Sequence, residues 1–208
     1  RQGGVQSLAR RGSIHYKGWE LHRPASLGRL PARGLHWLQK AESAMFERYT
    51  QTACRIIFMA RAEAGMLGSP RMETEHLLLG IVDVDLAMIQ RLVSPDVTDE
   101  AFREPILAQT PVLEIIPTNV NMPLSHACAR VLAYAGEEAE RLGDRHIRPG
   151  HLLLGPIREK DSLASRLLAR HGGELAAMQR RLAAEPQVDN PRDFISSGQQ
   201  SGLVPPAG

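Results

Sequence analysis

The sequence predicts an all-α fold in which two copies of one four-helix unit close on each other, and three observations carry that prediction. First, the stretch Cys54–Gly80 recurs without a gap 75 positions later as Ala129–Gly155, with 11 of 27 positions identical. The identities include Arg55/Arg130, Glu63/Glu138, Ala64/Ala139 and Leu67/Leu142, and the run His-Leu-Leu-Leu-Gly at 76–80 and 151–155. Second, apolar residues in both copies recur at helical spacing. Third, matching positions carry a hydroxyl before the first helix and a glycine after it, which are start and stop signals. Two copies are too few for an open solenoid, so a pseudo-two-fold pair is the expected architecture.

The elements follow in order. Thr50 caps a first helix running to about Leu67, with Gly68 as its stop and Ala53, Ile56, Ile57, Ala60, Ala64 and Leu67 on its apolar face. Ser125 caps the equivalent helix, whose stripe is Cys128, Val131, Leu132, Ala135, Ala139 and Leu142, ending at Gly143. The small alanines permit close helix crossing. A short second helix follows in each copy. Thr74 caps one with Glu75 in its first turn, where the helix dipole favours an anion; Pro149 opens the other. Leu77–Leu79 and Leu152–Leu154 plug these helices into the core. Third helices are expected at about Leu86–Val93 and Ser162–Arg170, and fourth helices at about Thr98–Gln109, across Pro105, and Glu174–Ala184. The connector carries prolines at 111, 117 and 123, and its segment Val112–Ile116 reads as extended surface chain.

Composition bounds the rest. A hydrophobic content of 43% supports a real core in 208 residues, and 4% aromatics makes it an aliphatic one. Two cysteines, Cys54 and Cys128, read as buried inert thiols in a reducing compartment, here taken as cytoplasmic. No apolar run approaches a membrane span. The formal charge of +2 divides into +6 over residues 1–44, −3 over 45–185 and −1 over 186–208. The mildly acidic folded part argues against nucleic acid as a partner. Residues 1–44, broken by glycine and proline, read as a basic disordered or non-native segment, with the composition of a transit peptide as another reading. Residues 186–208 read as a disordered tail. The domain therefore spans 45–185, with repeat one at 45–110 and repeat two at 124–185.

At this point the residues resemble a known family. The run Met45-Phe46-Glu47-Arg48-Tyr49-Thr50, the helix after it, and Thr74-Glu75-His76-Leu77-Leu78-Leu79-Gly80 are similar to the first Clp repeat of ClpC- and ClpA-type protein-unfolding ATPases. Residues 125–184 are similar to the second. The resemblance implies two pseudo-symmetric four-helix Clp repeats packed as one eight-helix domain. It also implies a docking module for adaptor proteins or for unfolded or marked client proteins of a Clp-type ATPase, without catalysis or cofactor. No Gly-x-x-x-x-Gly-Lys-Ser/Thr phosphate loop occurs in the chain. The proline- and glycine-containing end favours a stand-alone Clp-repeat protein, with the N-terminal fragment of a ClpC-like ATPase as the alternative.

By the same resemblance, Thr50 and Glu75 in repeat one and Ser125 in repeat two correspond to a pocket for phosphorylated arginine. There a carboxylate pairs the guanidinium while hydroxyls and helix-start amides meet the phosphate. Gly150 replaces the acid in repeat two, so only the first copy is expected to be competent. The plainer reading of Thr50 and Glu75 is a cap and a dipole-favoured acid. Phe46 is a candidate hydrophobic anchor, buried in the plainer reading. His76 and His151 read as backbone-bonding residues at a helix junction, and Glu73 with His76 does not complete a metal site. No catalytic residues and no metal ligands emerge. Glu137, Glu138 and Glu140 read as a solvated acidic face. A small helical ligand-binding protein or enzyme using the cleft between repeats remains the other class of function.

Overall fold

The computed structural model describes residues 48–111, 113–117 and 120–186. They form seven helices: α1 Gln51–Met66, α2 Thr74–Leu92, α3 Asp99–Gln109, α4 His126–Arg141, α5 Pro149–Arg158, α6 Leu163–Arg170 and α7 Leu175–Ala184. Helices α1–α3 make repeat one and α4–α7 repeat two. Seven elements appear instead of eight because α2 runs through the positions expected for separate second and third helices. It breaks only at Asp85 (φ −152°, ψ 64°), whose Oδ1 accepts the Met88 N–H at 3.0 Å and so caps the second segment. Phe46, the expected basic segment 1–44 and the tail from 187 onward lie outside the described residues.

The first helix of each repeat forms as its signals predict. Thr50 Oγ1 accepts the Ala53 N–H at 3.3 Å, and Ser125 Oγ accepts the Cys128 N–H at 3.1 Å. Gly68 (φ +69°) and Gly143 (φ +72°) take the left-handed conformation that closes each helix end. Pro149 opens α5 as expected, while α2 is capped otherwise than expected. Thr74 is already inside α2, and the residue at the cap is Glu73. The Glu73 N–H donates to His76 Nδ1 at 2.9 Å, and the Arg148 N–H donates to His151 Nδ1 at 3.0 Å. A histidine three residues into the helix thus plays the part that a glutamate plays in a capping box. The histidines are bonded to backbone, as their position suggested.

Helices α2 and α5 meet at the centre; α1 covers α2 and α4 covers α5. Leu77–Leu79 and Leu152–Leu154 have no exposed surface, and with Ile56, Ile81, Phe102 and Leu168 they join a single core drawn from both repeats. Each such leucine contributes roughly 1.5–3 kcal/mol of burial, more than any exposed ion pair supplies. The covering helices approach at backbone distance. A Cβ on Gly80 would stand 2.6 Å from the Ile56 carbonyl oxygen, and one on Gly155 would stand 2.5 Å from that of Val131. The glycine closing each His-Leu-Leu-Leu-Gly run is therefore a crossing point.

Two short parallel bridges tie the repeats together, Tyr49 to Ile147 and Met72 to Leu124. The 75-residue offset turns one into the other, so they are the same contact made twice. Polar groups are also buried in a way the sequence did not signal. Arg103 reaches Glu63 at 3.1 Å, Asp83 at 2.5 Å and Asp99 at 3.1 Å. In repeat two Arg158 reaches Glu138 at 3.1 Å and Glu137 at 2.6 Å. Glu138, expected on a solvated acidic face, is buried. It is matched with Glu63 across the repeat, and Arg141 and Gln179 also donate to it. The physical reason is that helix α4 turns this position inward while Glu137 and Glu140 stay exposed. The thiol of Cys128 is buried and pushed up to about 12, first by burial, which leaves it inert; Cys54 is half-buried, and neither thiol is in a disulfide.

Replacing Gly80 by alanine is expected to force α1 off α2 and cost about 1–3 kcal/mol; a melting temperature unchanged from the parent would contradict this crossing. The pH dependence of stability also follows. Burial lowers His76 and His151 from 6.5 to about 4 each, so the folded protein holds them neutral. As pH falls from 6.5 toward 4 the unfolded chain binds protons that the folded one refuses, and stability is lost. Glu63 opposes this: burial and a bond shared with Asp83 raise it from 4.5 to about 7, so its protonation favours the fold as pH falls through the same window. Two histidines outweigh one glutamate, and the net expectation in urea melts is lower stability at pH 4.5 than at pH 7. Glu63→Gln should steepen that loss.

Candidate functional site

The cross-repeat bridges decide which predicted site residues meet. The Thr50 N–H donates to the Ile147 carbonyl at 3.0 Å, so Thr50 lies at the corner that begins α5. The Ser125 N–H donates to the Met72 carbonyl at 3.0 Å, so Ser125 lies at the corner that begins α2. Glu75 therefore keeps company with Ser125 of the other repeat, while Thr50 of its own repeat stands at the opposite corner. Sequence spacing assigned Thr50 and Glu75 to one copy; the folded chain exchanges the partners.

The Thr50 corner has little room for an acid. A Cβ on Gly150 would lie 2.4 Å from Leu182 Cδ1, so the α7 leucine occupies the space that an acidic side chain would need. Arg148 beside it is bound to Asp144 through Nε at 3.1 Å and Nη2 at 2.7 Å, and His151 Nε2 stands 2.9 Å from the same carboxylate, off the line of a hydrogen bond. That corner is internally neutralised.

The Ser125 corner is differently charged. Ser69 and Glu73 occupy the positions of Asp144 and Arg148, so repeat one has a carboxylate where repeat two has a guanidinium. Glu75 is half-buried and accepts a hydrogen bond from the Thr74 hydroxyl at 3.1 Å. Burial holds its carboxyl above the ordinary range, and Arg166 of α6 pulls in the other direction. The charges of Glu73 and Glu75 reach Cys128 in the first turn of α4, adding to the burial that raises its thiol. His76 Nε2, in a fully buried ring, has no hydrogen-bond partner among the described residues. A cavity of about 210 Å³ opens here, lined by Ser69, Glu73, Glu75, His76, Thr110 and Leu113 among others.

Beside it runs the connector. Its side chains Leu113, Ile115, Val120 and Leu124 are exposed at 55%, 69%, 47% and 37%. Ile115 and Val120 were not singled out from the sequence as binding residues. The extended reading of 112–116 was the available signal, because an apolar strand lying on a surface must turn some of its side chains outward. The arrangement combines two carboxylates, a hydroxyl, a helix N-terminus and an apolar strip. It suits the binding of a charged side chain flanked by apolar ones.

Comparison with known proteins agrees with this architecture. Residues 48–171 match the family described as the Clp repeat (R) N-terminal domain. The chain is 30% identical over 173 residues to the chloroplastic chaperone protein ClpC of Pisum sativum, covering 78% of this chain and 18% of that protein. It thus spans less than a fifth of the length of that relative. Among solved structures, the N-terminal domain of the Arabidopsis thaliana chaperone ClpD superposes with a TM-score of 0.55 at 29% identity, covering 68% of this chain and 98% of that one. The N-terminal domain of Hsp104 from Candida albicans shares the fold, with a TM-score of 0.56 at 15% identity over 70% of this chain and 98% of that one. With two matched repeats, capped first helices and a central pair of leucine-rich helices, the chain belongs to the Clp repeat N-terminal domain family.

Proposed function

We propose that this chain is a recognition module that receives client or adaptor proteins for a Clp-type unfolding ATPase and performs no chemistry of its own. The observation that carries the reading is the cavity lined by Glu73, Glu75 and His76, which shares Leu113 with the exposed apolar connector that also carries Ile115 and Val120. Apolar side chains set together along one segment mark an interaction surface more often than an accident of folding. A buried-edge carboxylate next to them selects a cationic group through charge-assisted bonds. A reducing setting fits two cysteines, Cys54 and Cys128, that are not joined in a disulfide, and we place the module in the cytoplasm on that ground. Among the described residues no helix is long and apolar enough to cross a membrane.

Phosphoarginine is the ligand that the family resemblance implies; on that reading Glu75 takes the guanidinium, and the phosphate falls to the start of α4 with Ser125, whose buried hydroxyl already caps that helix. Thr50 contributes from the other corner only as a helix cap. Glu73 favours a second reading. Its carboxylate lines the same cavity and opposes a phosphate dianion, which shifts the preference toward an unmodified guanidinium.

Fluorescence titration of matched arginine and phosphoarginine peptides flanked by leucine separates these readings. Binding of either is expected to weaken about tenfold or more in Glu75→Ala, a loss of about 1.4 kcal/mol. Thr50→Ala should leave binding unchanged while costing about 1 kcal/mol of stability. Glu73→Gln should improve the phosphorylated peptide relative to the plain one. An intact protein that binds neither peptide ends the proposal for this corner.

A further inference from the structure

The histidine of each His-Leu-Leu-Leu-Gly run makes the same bond to backbone in both repeats but has a different neighbour on its other side. His76 Nδ1 accepts the Glu73 N–H, which in a neutral ring leaves the proton on Nε2. Burial keeps the ring neutral, since it lowers His76 to about 4. In repeat two the matching His151 Nε2 stands 2.9 Å from the Asp144 carboxylate, off the line of a hydrogen bond. Ser69 takes the place of Asp144 in repeat one. The backbone there is placed alike, because the Ser69 N–H donates to the Ala64 carbonyl at 2.9 Å and the Asp144 N–H to that of Ala139 at 2.8 Å. The Ser69 hydroxyl is spent elsewhere, donating to the Arg71 carbonyl at 2.7 Å.

His76 Nε2–H is thus a donor in a ring only 1% exposed, without an acceptor among the described residues. Ser69, which it faces if the repeats correspond, lines the cavity together with it. A donor out of reach of water is costly to leave unmet, so its persistence calls for a function. The charges around it are inverted as well. In repeat two the Asp144 carboxylate lies between Arg148 and His151. In repeat one the same places hold Ser69, Glu73 and His76, and Glu75 lines the cavity beside them.

A ligand suited to this corner brings a cation for the two carboxylates and, close to the cation, a hydrogen-bond acceptor for His76. The cations of a polypeptide differ on that count. A lysine ammonium and an arginine guanidinium are donors only. A phosphorylated guanidinium brings acceptor oxygens, but with a negative charge that Glu73 and Glu75 both oppose. The amino terminus of a chain brings an α-ammonium and, one carbon away, a neutral carbonyl.

We propose that the corner takes the free amino terminus of a client polypeptide, its α-ammonium paired with Glu75 and Glu73 and its first carbonyl accepting from His76 Nε2–H. This choice among cations rests on the reading of the corner as a binding site. Pro70, Pro111 and Leu113 line the same cavity and offer apolar contact to the first side chains of the client. His76 is then the residue that sets specificity. The carboxylates hold any cation, and the histidine favours the one that carries a neutral acceptor with it.

Fluorescence titration of the full chain tests it, with a peptide that begins Ala-Leu, lacks lysine and arginine, and is labelled at its carboxyl end. The free-amine peptide is expected to bind about tenfold or more tighter than the same peptide acetylated, and to shift the Nε2 proton resonance of His76. His76→Asn keeps an acceptor for the Glu73 N–H through its Oδ1 and removes the Nε2–H. Ser69→Asn keeps the histidine and offers it an amide carbonyl from within, where repeat two has Asp144. Each should weaken the free-amine peptide about fivefold or more and leave the acetylated one unchanged. Ser69→Asn lies on the surface side of the cavity and decides the matter if His76→Asn does not fold. Equal binding of the free and acetylated peptides overturns the proposal, and so does free-amine binding that Ser69→Asn leaves unweakened. If an acetylated peptide with an internal arginine still binds in a Glu75-dependent way, only the amino-terminal assignment falls. If no peptide binds, the reading of the corner as a site falls with it.

Discussion

The structure depends on two glycine crossings. At Gly80 and Gly155 the backbone of a central helix lies against the backbone of its covering helix, closer than any side chain would allow. That proximity lets three consecutive leucines on α2, and three on α5, bury completely on either side of the contact. It also sets the height at which α1 and α4 begin. Their caps, Thr50 and Ser125, then fall beside the opposite repeat and not beside their own second helix. The two corners are a consequence of how closely two pairs of helices can pack.

From this follows the asymmetry between the corners. Both are built from the same elements: a capped first helix from one repeat and the start of a second helix from the other. One is closed by Leu182 and neutralised by the bonding of Arg148 to Asp144. The other holds Glu73, Glu75 and a His76 Nε2 without a hydrogen-bond partner among the described residues, around open space. A symmetric frame thus presents one corner that is chemically quiet and one that is not. The difference was produced by substitutions at a few equivalent positions, with no change to the fold.

Much of the fold was legible in the sequence because its causes are local. The repeat, the cap hydroxyls, the terminating glycines and the leucine runs each act within a few residues of themselves. What could not be read was the exchange of partners between repeats, since spacing along one copy says nothing about which copy a loop packs against. Thr50 and Glu75 were therefore grouped together, although the backbone of Ser125 bonds to Met72, shortly before α2, and that of Thr50 to Ile147, shortly before α5. The buried set around Glu63 and Arg103 escaped for a similar reason. Glutamate on a helix reads as solvent-facing unless a cation from a distant helix is known to meet it, and Arg103 lies 40 positions away in sequence. Identity of Glu63 with Glu138 across the repeat was the one sign that this position carries more than charge. The continuity of α2 through Asp85 was missed because an aspartate that caps the second segment from within looks, on paper, like an ordinary start.

The paired bridges, Tyr49 with Ile147 and Met72 with Leu124, have a consequence for how such a unit could ever have existed alone. Each half leaves an edge of unmet amides and carbonyls that only the other half satisfies. A polypeptide holding a single copy would have had to meet a second molecule of itself across a two-fold axis before either was stable. Joining the copies with a connector converts that bimolecular requirement into an internal one, no longer sensitive to concentration. Once joined, the halves were free to diverge in sequence while the axis between them was preserved.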